Sequence, residues 1–204
     1  MMARGATFLA RMEDSHNKMV TVSQPFLASA STVLVHGNSR VVARALAVAC
    51  KTRDMEVLLT RSSGELTVKQ LQAENIRCRV VEDLAVGAEM NKVDCVLLGA
   101  EGVVETGGIV NQLGSYTVAM VAKALNKQTF VLAESFKFVR EYPLGQEDLP
   151  EEYLYHPSVL ANKEHTLTSP RVDYTPPGLV SLLFTDLGIL TPSAVSDELI
   201  NLYL

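Results

Sequence analysis

VDCVLLGAEGVVETGGIVNQLGSYTVAMVAKALNKQTFVLAESFKFVREYP, residues 93–143, is the stretch that decides the fold. An apolar run at 93–98 leads into a glycine-rich loop, a helical pattern from Tyr116 to Asn126, and a second apolar run at 129–133. This order predicts two parallel strands joined by a right-handed crossover. Ligands of such sheets bind in the loops after the carboxyl ends of strands, so Gly99–Gly114 and Glu134–Pro143 are the expected sites.

The rest of the chain repeats this alternation. A leading helix is predicted over Ala6–Ala28, within residues 1–30, and Pro25 marks a kink or an early end. It could act as a lid, form a dimer surface or simply cover the sheet. Further short apolar runs precede the opening stretch at 32–35, 55–59 and 77–81. Five strands that alternate with helices predict an α/β domain with three layers and a mostly parallel sheet.

The C-terminal third has a different character. Residues 145–171 are polar, contain three prolines and lack a firm period, which predicts a surface excursion rather than a linker to a second domain. Residues 172–204 predict a strand followed by helices, at 177–183 and from 193 to about 203, with Gly188 ending the first. A chain of 204 residues suits one domain with a sizeable core.

Composition excludes several classes of function. Hydrophobic residues make up 48% and charged residues 20%, with a net charge of −5, which is typical of a globular domain. The 18 Lys and Arg are scattered, so we expect no direct nucleic-acid binding. We also expect neither a membrane span nor a signal peptide. Three cysteines without paired or metal spacing indicate a reducing compartment, and we expect a cytoplasmic protein.

The usual cofactor signatures are missing from the sequence. The glycines of the central loop do not form G-x-G-x-x-G, and no Lys-Ser or Lys-Thr follows a glycine loop. The histidines and cysteines lack metal-ligand spacing. We therefore expect no nucleotide cofactor and no metal.

Two strand-end loops carry the candidate chemistry. Residues His36–Arg40 and Gly99–Asn111 are predicted to face each other across the sheet. Arg40 and Asn111 could hold an anionic ligand, with Glu101 as a base. In the alternative interpretation Arg40 pairs with a carboxylate and Asn111 caps the following helix. Spacing alone leaves both open.

Two further segments are candidates for subunit contacts. The segment 136–143 is aromatic and basic, and such residues anchor interfaces. The apolar C-terminal helix is a second candidate, although both segments could instead fill the edge or core of their own domain. The predicted contact residues are Phe136, Lys137, Phe138, Arg140, Tyr142, Leu199 and Leu202.

Three blocks of sequence resemble the alpha-subunit family of eukaryotic translation initiation factor 2B. The blocks are Gly99–Glu105 with Gly107–Ile109 and Asn111, Ala133–Arg140, and Val172–Pro177 continuing through Leu182–Gly188 to Thr191–Leu199. With weaker matches at 36–42 and 83–87, the resemblance covers nearly the whole chain. It implies a Rossmann-like domain that acts as a non-catalytic regulatory subunit of the guanine nucleotide exchange factor for translation initiation factor 2. The implied partners are the other subunits of this factor, a second copy in a homodimer, and initiation factor 2 through the assembled complex.

The same superfamily contains sugar-phosphate isomerases acting on methylthioribose 1-phosphate and ribose 1,5-bisphosphate. Their catalytic Cys and Asp match Gly37 and Glu101 here. In these enzymes a Lys follows the Asn that matches Asn111, and the corresponding residue of this chain is Gln112. The resemblance thus implies lost catalysis and, at most, a degenerate sugar-phosphate pocket. Its expected residues are His36, Gly37, Asn38, Arg40, Glu101 and Asn111. The family's N-terminal helical domain has no counterpart before Gly5, so we expect a chain without that domain, whose sensing of the phosphorylated partner would be impaired.

Overall fold

Eleven strands lie in the part of the chain that the computed structural model describes, residues 2–161 and 168–203. Part of the predicted excursion at 145–171 and the last residue of the chain fall outside these ranges. The strands are β1 Thr32–His36, β2 Glu56–Thr60, β3 Cys78–Val81, β4 Cys95–Gly99, β5 Gly102–Val104, β6 Ile109–Gln112, β7 Gln128–Leu132, β8 Phe138–Val139, β9 Val172–Thr175, β10 Leu182–Thr185 and β11 Gly188–Leu190.

The main sheet has seven strands in the order β11-β10-β7-β4-β1-β2-β3. Neighbouring strands are parallel from β10 across to β3, and β11 joins β10 as an antiparallel edge. Strand β4 of the opening stretch lies between β7 and β1, and all five of its residues are buried. The expected mostly parallel sheet is confirmed.

Helices cover both faces of this sheet. The helices of the described residues are α1 Met2–Leu27, α2 Arg40–Cys50, α3 Gly64–Ala73, α4 Val86–Glu89, α5 Ser115–Ala124, α6 Glu151–Leu154, α7 Pro157–Ala161 and α8 Val195–Tyr203. Side chains of α1, α2 and α3 pack with Val33 and Leu97 on one face. Side chains of α4, α5 and α8 pack with Leu34 and Leu98 on the other. Successive side chains of a strand point to opposite faces of the sheet, so the core has two halves. Helices on each face and the sheet between them form the predicted three layers.

The central loop contains more structure than the sequence suggested. We expected a glycine-rich loop from Gly99 to Gly114, but it contains β5 and β6, which form a second sheet in the order β8-β5-β6-β9. Val103 and Ile109 face the core under α5, whereas Val104 and Val110 face a smaller cluster with Leu149. Strands of three or four residues are too short to show a periodic pattern in the sequence. The burial of their side chains between other elements is what makes these residues strands.

The helix predicted at 177–183 is wrong. The chain makes a short 3-10 turn at Pro177–Leu179 and then forms strand β10, which is parallel to β7. Gly188 does not cap a helix but begins β11 after a tight turn. Leu183 and Phe184 are both fully buried, one on each side of the sheet, and only a strand can bury successive residues in this way.

The leading helix α1 begins at Met2 and ends at Leu27, two residues after Pro25. Its buried residues Met19 and Leu27 belong to the core, and it contacts α2 and β10. The sheet-cover interpretation therefore holds for its second half. Among the described residues, no helix combines the length and the apolar character that crossing a bilayer requires.

Candidate functional site

A cavity of about 570 Å³ opens where the parallel strands end. Its wall is formed by the loops after β1, β4 and β7, by β6, and by one or two residues from each of α1, α2 and α3. The lining residues are His16, Asn38, Ser39, Arg40, Val41, Gln70, Ala100, Glu101, Asn111, Gln112, Glu134 and Lys137. Most of these side chains are polar, so the cavity suits a hydrophilic ligand.

Close packing of two strand ends shapes this wall. A side chain at Gly99 would lie 2.7 Å from the Ser39 Cβ, so glycine is required for the two loops to meet. Ser39 is the N-cap of α2, and its Oγ accepts a hydrogen bond from the Val42 N–H at 3.5 Å. The cap directs the first turn of α2, including Arg40, towards the cavity.

The structure brings four of the six predicted pocket residues together in this cavity: Asn38, Arg40, Glu101 and Asn111. They come from different elements, and their meeting follows from the adjacency of β1 and β4 in the sheet. Their role in binding a ligand stays a prediction.

The polar partners of these residues differ from those of the alternative interpretation, in which Arg40 pairs with a carboxylate and Asn111 caps the following helix. Arg40 is exposed and makes no ion pair with any other described residue. Asn111 donates to the Ser115 Oγ at 2.8 Å rather than capping α5 directly. Glu101 accepts a hydrogen bond from Arg171 Nη1 at 2.6 Å. Arg40 is therefore available to an anion, whereas Glu101 already has a cationic partner.

His36 and Gly37 lie behind the cavity wall. The His36 Nε2–H donates to the Leu113 carbonyl at 3.0 Å, so Nδ1 accepts from the Thr60 hydroxyl at 2.8 Å. Burial of the ring outweighs these contacts and lowers its pKa. Gly37 has a φ of +87°, and its N–H donates to the Ser63 Oγ at 3.0 Å. The His36 ring is therefore neutral, and its two hydrogen bonds connect β1 to β2 and to the turn before α5.

Several cavity residues were not predicted. His16 comes from α1 and Gln70 from α3, far from the strand-end loops, and neither carries a local sequence signal. Glu134 and Lys137 follow β7, in the segment that strand order does indicate as a second site. The sequence predicts Lys137 in a subunit contact, but in the structure this residue lines the cavity.

Glu134 is the most buried charged group of the cavity, with 5% of its surface exposed. Its Oε1 accepts a hydrogen bond from His16 Nε2 at 2.8 Å, and its Oε2 lies 2.8 Å from Lys137 Nζ. Burial opposes ionisation of this carboxyl, but Lys137, a backbone N–H and His16 together hold its pKa below the ordinary value. The carboxylate therefore stays charged inside the wall.

A second buried carboxylate supports the site from below. Asp173 of β9 accepts hydrogen bonds from the N–H groups of Gly114 at 2.7 Å and Tyr116 at 3.2 Å, at the N-terminus of α5. Burial outweighs these bonds and raises its pKa to about 6. Asp173 thereby ties the second sheet to the helix that follows β6.

The predicted contact residues divide into two groups. Phe136, Tyr142 and Leu202 are exposed by 55%, 65% and 44%, and Arg140 is exposed as well. Phe138 and Leu199 are 3% and 2% exposed, because they pack in the core cluster that also contains Leu183. The last two thus belong to the domain's own core, which corrects their assignment to a surface.

The fold and the cavity define a class: three-layer α/β proteins with a polar cavity at the carboxyl edge of a parallel sheet. Within this class the chain belongs to the Initiation factor 2 subunit family, whose sequence profile matches residues 1–192.

Curated relatives support this membership. The chain is 44% identical over 219 residues to translation initiation factor eIF2B subunit alpha of Dictyostelium discoideum, covering 100% of this chain and 68% of the relative. It is 37% identical to the protein of the same name from Caenorhabditis elegans, over 98% of this chain and 68% of the relative. A ribose 1,5-bisphosphate isomerase of Archaeoglobus fulgidus is 28% identical, over 93% of this chain and 63% of the relative. The chain thus spans about two thirds of these relatives.

Solved structures share the fold. The translation initiation factor eIF-2B of Pyrococcus horikoshii OT3 superposes with a TM-score of 0.77 at 22% identity, covering 93% of this chain and 69% of that one. The eIF2B beta subunit of Chaetomium thermophilum gives a TM-score of 0.74 at 22% identity, covering 96% of this chain and 56% of that one. These likenesses confirm the predicted Rossmann-like fold.

Proposed function

We propose that this chain is a non-catalytic regulatory subunit of the guanine nucleotide exchange factor for translation initiation factor 2. The observation that carries the proposal is the similarity to eIF2B alpha subunits, which extends over the whole chain at 44% identity. We further infer that it acts by contacting the other subunits and a second copy of itself. Initiation factor 2 is then reached through the assembled complex, in the cytoplasm.

The site geometry supports a role without catalysis. In the isomerases of the superfamily, the resemblance matches the catalytic thiol to Gly37, and glycine has none. The carboxylate matched to the catalytic Asp, Glu101, pairs with Arg171 at 2.6 Å. Gln112, matched to the enzymes' lysine, donates its amide to the Ser62 carbonyl. The three positions are thus altered in chemistry or engaged by the protein itself.

The exposed part of the segment after β7 supports the inferred contacts. Phe136 and Tyr142 are large aromatic residues, yet more than half of each is exposed, and Leu144 beside them is 83% exposed. Aromatic residues at this exposure are typical anchors of protein interfaces.

Affinity capture from cell extract tests the proposal. We expect the tagged chain to retain other eIF2B subunits, identified by mass spectrometry, and the double variant Phe136→Ala/Tyr142→Ala to lose most of them. Leu84→Ala is the matched control, because Leu84 is fully exposed but follows the edge strand β3, which β4, β1 and β2 separate from β7. Retention of no such subunit by the unaltered chain would contradict the proposal.

A second candidate function is binding, or isomerisation, of a sugar phosphate. The observation in its favour is the polar cavity, which is lined by Lys137 and by Arg40, a residue that makes no ion pair with the rest of residues 2–161 and 168–203. Thermal melts with sugar phosphates test binding, because a ligand at 100 times its Kd stabilises the folded state by about 2.7 kcal/mol. Turnover of ribose 1,5-bisphosphate that disappears in Glu101→Gln would favour the enzyme, and a flat melt would remove both forms of this candidate.

A further inference from the structure

Three side chains in the cavity wall form a chain of polar contacts: His16, Glu134 and Lys137. The Glu134 carboxylate lies between the other two, at 2.8 Å from His16 Nε2 and 2.8 Å from Lys137 Nζ. The same ammonium donates to the Ala100 carbonyl at 2.8 Å. Lys137 is therefore already neutralised by a carboxylate of its own chain.

Helix α1 takes part in this arrangement because His16 belongs to it. The neighbouring Ser15 Oγ donates to Asp186 Oδ2 at 3.3 Å, and the same carboxylate accepts from the Ser135 N–H at 2.7 Å. Two successive residues of α1 are thus tied to the segment after β7, which lines the cavity. The residues of α1 just before them, 10–14, are mostly exposed. A movement of the segment after β7 would therefore act on the middle of α1.

We propose that an anion entering the cavity competes with Glu134 for Lys137, and that this exchange is transmitted to α1 through His16. Glu134 is in this view a built-in competitor that lowers the affinity of the cavity for small anions. The inference rests on the second candidate function, since it requires the cavity to accept an anionic ligand.

The free-energy cost of removing Lys137 from Glu134 determines how anion binding affects α1. A buried carboxylate that loses one of its two partners is strongly destabilised. It can recover by rearranging against His16, which moves α1. By thermodynamic reciprocity, changes in the His16–Glu134 contact also change the affinity for the anion.

Inorganic phosphate is the probe that isolates this exchange. Its affinity is measured by isothermal titration calorimetry, and amide hydrogen exchange follows residues 13–20 of α1, with and without saturating phosphate. We expect Glu134→Gln to bind phosphate about fivefold more tightly or better. We expect phosphate to speed exchange in α1 of the unaltered chain but not in Glu134→Gln.

Two matched variants separate this mechanism from simpler ones. Glu101→Gln also removes a cavity carboxylate, but one that pairs with Arg171 rather than Lys137. Ser15→Ala removes the hydrogen bond between α1 and Asp186 without altering the cavity wall, and we expect its phosphate affinity to be unchanged. An equal gain in Glu101→Gln and Glu134→Gln would overturn the inference, and so would phosphate binding without any change in α1. Absence of binding in every variant would also overturn the second candidate function, while leaving the capture of partner subunits as an independent result.

Discussion

Single residues near the cavity owe their properties to burial more than to their neighbours in sequence. His36 is 2% exposed and satisfies both ring nitrogens with protein partners. The native state therefore favours the neutral ring, and the pKa is lowered from 6.5 by desolvation. The unfolded chain binds this proton at a higher pH than the native chain does. Stability is thus fully present above pH 6.5 and is lost as the pH falls below it.

A pH series of urea denaturation tests this assignment at His36. We expect the free energy of unfolding to fall below pH 6.5 with a slope of up to about 1.4 kcal/mol per pH unit from this one proton. His36→Gln should remove this contribution to the slope, because position 36 then carries no group to protonate. His156→Gln is the control, because it makes the same replacement at an exposed histidine. Parallel curves for the unaltered chain and His36→Gln would contradict the assignment.

At the scale of elements, neighbours in the sheet decide what local patterns leave open. The residues before Gly188 read as a helix in the sequence, yet they form β10 because β7 offers a free parallel edge and both faces are covered. The last helix, α8, was a candidate for a subunit contact and turns out to be divided. Val195 and Leu199 lie in the core, whereas Ile200 and Leu202 are exposed.

Paired truncations in α8 test this division. Leu199→Ala should lower the free energy of unfolding by about 2–5 kcal/mol, because it leaves a cavity in the core. Leu202→Ala should change it by no more than about 0.5 kcal/mol, as is usual for surface positions. Urea denaturation of the two variants measures both values. Equal costs would show that α8 does not pack as described.

At the scale of the whole molecule, two groups of exposed apolar residues are the contacts that we propose for assembly. Phe136, Tyr142 and Leu144 follow β7, and Ile200 and Leu202 lie on α8. In a symmetric dimer both copies contribute the same residues to the interface. Removing α8 altogether would remove part of the core, so substitutions are the sharper test.

Light scattering after size-exclusion chromatography measures this assembly. We expect a mass of twice the 22.2 kDa of the chain at micromolar concentration. The double variant Tyr142→Glu/Leu202→Glu should shift it to the mass of one chain, because a charge in an apolar contact is costly to bury. Leu84→Glu, after the edge strand β3, should leave the dimer intact. A single-chain mass for the unaltered protein would count against the homodimer.

The amino-acid sequence by itself determined the three-layer fold, the central parallel strands and the loops at which a site would form. These features follow from the local periodicity of apolar residues and from the fixed hand of crossovers. Only the tertiary structure decided which side chains meet in the cavity. His16 and Glu134 are in contact although 118 positions separate them, and no local pattern reports such a pair. The same holds for Lys137 and Leu199, since the neighbours that bury a side chain are supplied by other elements of the fold.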